Sequence, residues 1–67
     1  MLNQNALHDV LTRLYENQLA LEAAIKELTL SQEKQGATEV GENAHGALHT
    51  IGENAGHIRQ ALACLKV

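Results

Sequence analysis

Sixty-seven residues make at most one domain, and a chain this short buries too little apolar surface for comfortable stability without disulfides, a metal or oligomerisation. The formal net charge is −3, with five Lys and Arg, one Tyr, one Cys and no Phe, Trp or Pro. That balance excludes an aromatic core and an intrachain disulfide framework and argues against a nucleic-acid-binding surface, whose affinity is largely electrostatic. The missing proline favours long uninterrupted helices.

The chain opens Met1-Leu-Asn-Gln-Asn5, without the charged n-region or apolar h-region of a signal peptide. No run approaches the roughly 18 apolar residues of a membrane span. The expected compartment is the cytoplasm, with no membrane partner.

From Leu7 the apolar positions step by four and three: Leu7, Leu11, Leu14, Leu21, Ile25 and Leu28, with Gln18 as the single polar member. This is the seam of a coiled coil, d at Leu7, Leu14, Leu21 and Leu28 and a at Leu11, Gln18 and Ile25. Asn3 or Asn5 can cap its start. Two arrangements suit Gln18: its stem packs while the amide reaches solvent, or it pairs with a symmetry mate and fixes the register. Tyr15, Leu19 and Leu30 lie about 80–140° round the helix from Leu7, off the seam. A lone hairpin would leave them uncovered.

The next segment reads "EKQGAT". Gly36 suits a left-handed C-cap and Thr38 an N-cap. Beyond it the rhythm resumes through Ala44, Leu48, Ile51, Ala55, Ile58, Leu62 and Leu65. Folding back at Gly36 sets Leu28 by Ala44, Ile25 by Leu48, Leu21 by Ile51, Gln18 by Ala55, and onward to Leu7 by Leu65. The expected fold is all-α: one antiparallel helical-hairpin domain over 1–67, with helices at about 4–34 and 38–66. An arm of roughly 28 residues is about 42 Å long at 1.5 Å per residue.

The second helix repeats itself: Val40-Gly-Glu-Asn-Ala44 returns as Ile51-Gly-Glu-Asn-Ala55 eleven residues later, three turns on and on the same face. Gly41, Gly46, Gly52 and Gly56 weaken this helix by about 1 kcal/mol each relative to Ala. It therefore depends on tertiary packing. Gly41, Gly52 and Gly56 share one shoulder of the seam, where another helix could come close. Two hairpins forming a four-helix bundle, as a homodimer or a homotetramer, would use Tyr15, Gln18, Leu19, Leu30, Gly52 and Gly56 as interface. Another protein's helix is the alternative occupant.

Opposite the seam, Glu42, His45, His49, Glu53 and His57 span an arc of about 120°. Three readings apply. His45 and His49, at i and i+4, with Glu42 could hold zinc or nickel, although a closed site wants four ligands. Protonating all four His would carry the net charge from −3 to +1, the raw material of a pH switch. The third reading is a plain solvated face. Cys64 has no partner set for nucleophilic catalysis.

The hairpin outline is similar to that of small plasmid copy-number proteins that hold paired RNA loops. Their function needs a basic stripe, whereas here Arg13 and Lys26 stand amid Asp9, Glu16, Glu22 and Glu27. Small secreted bacterial hairpins carry Trp-x-Gly at the turn; here it reads Gln35-Gly36-Ala37. The chain is assigned to neither. The sequence points to a non-enzymatic protein acting through protein contacts, with a metal-responsive module at Glu42, His45 and His49 as the alternative.

Overall fold

The computed structural model describes residues 3–65. Lys66, and with it the expected end of the second helix, lies outside them. Two helices fill this span, α1 (Gln4–Lys34) and α2 (Thr38–Cys64). They pack against each other along an elongated body of 50 × 17 × 15 Å. None of the described helices is long and apolar enough to cross a membrane.

Local chemistry sets each boundary. Asn3 caps α1, its extended backbone letting the side-chain Oδ1 accept from the Ala6 amide at 2.7 Å, which satisfies one of the first-turn donors. At the other end Gly36 takes φ +87. Its N–H donates to the Glu33 carbonyl at 3.0 Å, and the Ala37 N–H reaches back to Gln32 at 3.1 Å. That pair of bonds is a Schellman turn, and it stops α1 while aiming the chain back. Ala37, not Thr38, stands at the N-cap of α2, with no side-chain cap bond. The turn closes so tightly that Thr38 is already helical, which corrects the expected cap. The far end is reached at Cys64, followed by Leu65 in an extended conformation.

The α2 seam matches expectation: Ala44, Leu48, Ile51, Ala55, Ile58, Leu62 and Leu65 are all buried or half-buried. The α1 seam does not. Leu7, Leu11, Gln18 and Ile25 are half-buried, but Leu14, Leu21 and Leu28 are 52%, 52% and 67% exposed. Tyr15, Glu22, Thr29 and Glu33 take the covered places instead. Helix α1 is rolled by about 50°, half the angular step between neighbouring residues.

The contact surface of α2 accounts for the roll. Its buried residues are Gly41 and Ala55, so the line of closest approach lies toward small residues. Only Thr29 of α1 is fully buried. Its hydroxyl donates to the Ile25 carbonyl at 2.7 Å, so no polar atom is stranded. The described residues include no large side chain that is fully buried.

Gly36 has open space where a Cβ would sit, so its requirement is purely conformational. Gly36→Ala is expected to lower stability by about 1 kcal/mol through the left-handed backbone. Gly46→Ala, in a helix interior with equally open space, should raise it by a similar amount, about 1 kcal/mol. Urea unfolding followed by circular dichroism checks both signs.

Candidate functional site

The seam divides the molecule into two flanks of different chemistry. On the first, the glycine shoulder of α2 is occupied by carboxylates of α1. A Cβ built on Gly41 would stand 2.5 Å from Glu33 Oε2 and 2.6 Å from its Cγ, and one on Gly52 would stand 3.1 Å from Glu22 Oε2. Glu33 lies across Gly41 and goes on to His45, whose Nε2 is 3.2 Å from both carboxylate oxygens. Gly41 and His45 are one helical turn apart, so a single side chain can cross the first and reach the second.

His45 therefore sits at the edge of the polar stripe and joins the hairpin seam near the turn. His49 turns to Glu53, four residues on in its own helix. Glu42 and His57 are exposed. Glu42, His45 and His49 are not gathered into one donor set. Among the described residues no group of three or more His, Cys, Asp or Glu side chains is arranged to hold a metal ion. A zinc or nickel ion would find His45 and His49 engaged by different carboxylates, and the residues as placed do not fit a closed site.

Beside these lies an open groove of about 490 Å³ lined by Leu19, Glu22, Ala23, Lys26, His45 and Leu48. It mixes two carbon walls with charges of both signs. Of the six residues expected at an interface, Leu19 and Leu30 are exposed, while Tyr15, Gln18, Gly52 and Gly56 are half-buried within the single hairpin. Gly52 has Glu22 of the same chain against it, whereas Gly56 keeps open space. Cys64 is a free, exposed thiol at the end of α2.

The second flank was not anticipated. Leu14, Leu21 and Leu28, displaced from the seam, are joined there by exposed Val10. Their heptad spacing was legible. The expected register turns those leucines toward α2, and only the roll of α1 exposes them.

No protein-family model matches this chain, and no match is found among curated proteins or solved structures.

The Glu33–Gly41–His45 contact makes a coupled prediction. Gly41→Ala must push the Glu33 side chain aside, which offsets part of the roughly 1 kcal/mol that Ala brings to a helix interior. In a Glu33→Ala background the three nearest obstructing atoms are gone, and more of that gain is expected. A double-mutant cycle by urea unfolding should show a larger effect of Gly41→Ala in the second background. Equal effects would mean that Glu33 does not cover Gly41.

Proposed function

We propose that this hairpin is a non-enzymatic interaction protein that assembles with itself into a four-helix bundle. It acts as a scaffold or regulator through the contacts of that assembly. One observation carries the reading: seven large apolar residues, from Val10 to Val40, are at least 40% exposed. Five of them, Val10, Leu14, Leu21, Leu28 and Val40, line one flank, and Leu19 and Leu30 lie off it. Covering the exposed half of each of the five would contribute about 1 kcal/mol, and soluble proteins rarely leave such a row open without use.

Area supports the same reading. The chain exposes 5239 Å² at a mass of 7.3 kDa, where a compact monomer of that mass exposes about 4,200 Å². The excess of roughly 1,000 Å² exceeds the ~800 Å² that each partner contributes to a standard interface. An enzymatic role lacks support, because a groove open to water on a two-helix body does not exclude solvent from a reaction. The metal-responsive alternative is not carried further, since Glu42, His45 and His49 do not converge. The proposed compartment is the cytoplasm, which suits a lone free cysteine.

Sedimentation equilibrium over a wide concentration range, without added metal, tests the reading. The expected mass is a dimer's or a tetramer's at micromolar concentrations. A helical monomer throughout would contradict self-assembly and leave the apolar surface to a foreign helix.

A further inference from the structure

We infer that a second copy of this chain docks on the second, leucine-bearing flank, with both turns at the same end. Asn17 and Asn54 of the two copies then meet in one polar layer. This rests on the self-assembly reading and gives it a face, a register and a direction.

The roll of α1 is the first argument. A hairpin on its own would gain by rotating Leu14, Leu21 and Leu28 inward and releasing Glu22 and Glu33 to water. The structure has the opposite arrangement, with the two glutamates half-covered and the leucines out. Such a choice is favourable where another surface covers the leucines.

The contacts of Glu22 with Gly52 and Glu33 with Gly41 assign Lys26 and His45 to the first flank, with the groove between them. At 100° per residue, Leu14, Leu21 and Leu28 fall on the other side of the seam. The stripe they belong to runs from Val10 to Ser31 in steps of four and three, and it contains no Asp, Glu, Lys, Arg or His. On α2 the matching stripe runs from Val40 to Leu65 through Ile51 and Ile58, and it too is free of charge. An interface core depleted in charge and ringed by polar residues has this composition. The first flank, with Glu22, Lys26, Glu33 and His45, does not.

Each stripe has one carboxamide: Asn17 on α1 and Asn54 on α2, both exposed in the single hairpin. Asn17 lies 19 residues before Gly36 and Asn54 lies 18 after it, so their levels agree within about one residue's rise, 1.5 Å. Leu21 and Ile51 share a level in the same way, as do Leu14 and Ile58. A foreign apolar helix would bury the two amides against carbon and leave their donors and acceptors unmet. A second copy with its turn at the same end brings two more Asn to that level, and four carboxamides can satisfy one another. With turns at opposite ends and the arms fully overlapped, Asn17 would fall near Leu21 of its mate, and matching the amide layers would require sliding the two copies apart and uncovering Leu28. A buried Asn layer fixes register in this manner in coiled coils.

The test combines mass and distance. Leu21→Asp changes a half-exposed residue of the docking flank, and Leu19→Asp changes a comparably exposed residue of the other. In sedimentation equilibrium the unaltered chain should self-associate, Leu21→Asp should fall to monomer mass at the same concentration, and Leu19→Asp should not. Nitroxides on Gln35→Cys, in a Cys64→Ser chain, should lie far closer together than the 50 Å length of the hairpin. Association surviving Leu21→Asp, or lost equally with Leu19→Asp, overturns the face while leaving self-assembly intact. A label separation near the hairpin length overturns the aligned turns and the Asn layer. A monomeric parent chain overturns self-assembly and this inference with it.

Discussion

Two helices can touch along only one line, and every feature of this protein follows from what was placed on that line. Here it is small: Gly41 and Ala55 from α2, Thr29 from α1. Small residues let the two backbones approach, but they bury little carbon, so the seam orients the helices without supplying much stability. The larger side chains stay at its margins, half-covered at best. The tight Schellman turn at Gly36 reinforces this geometry, because it leaves no slack through which the arms could slide.

The seam also sorts chemistry to its two sides. Glycine on one shoulder of α2 makes room for Glu22 and Glu33, and Glu33 draws in His45 across the gap. The bond is half-exposed, so its contribution to stability is small. It does fix where Glu33 lies, across Gly41, in keeping with the orientation that the small seam residues give α1. The price of that orientation is a row of leucines left facing outward. We propose that this row is the working surface of the molecule, and that the polar stripe with His49, Glu53 and His57 faces water once it is covered.

Much of this was legible in the sequence. The four-three spacing from Leu7 to Leu28 and from Ala44 to Leu65, the positive-φ role of Gly36 and a capping asparagine at 3 or 5 all follow from local rules, and local rules govern helices. The rotation of α1 was not legible. A helix with leucines at d and Tyr15, Glu22 and Thr29 one place on can turn either edge inward, and the choice depends on the partner surface. That surface has glycine at 41 and 52, so Glu22 and Glu33 could enter a seam where sequence reasoning placed Leu21 and Leu28. The same shift moves the proposed interface from Leu19, Leu30 and the glycines to the opposite side. For the histidines, spacing alone put His45 and His49 together, yet Glu33 of the other helix competes for the first and Glu53 for the second.

We propose that the folded state of this chain is completed by another chain. Thermal unfolding by circular dichroism across a hundredfold range of protein concentration tests it most directly. Linkage between folding and association makes the midpoint rise with concentration, and the account predicts such a rise. A midpoint independent of concentration, with full helicity at the lowest one, would contradict it and make the single hairpin the whole of the stable fold.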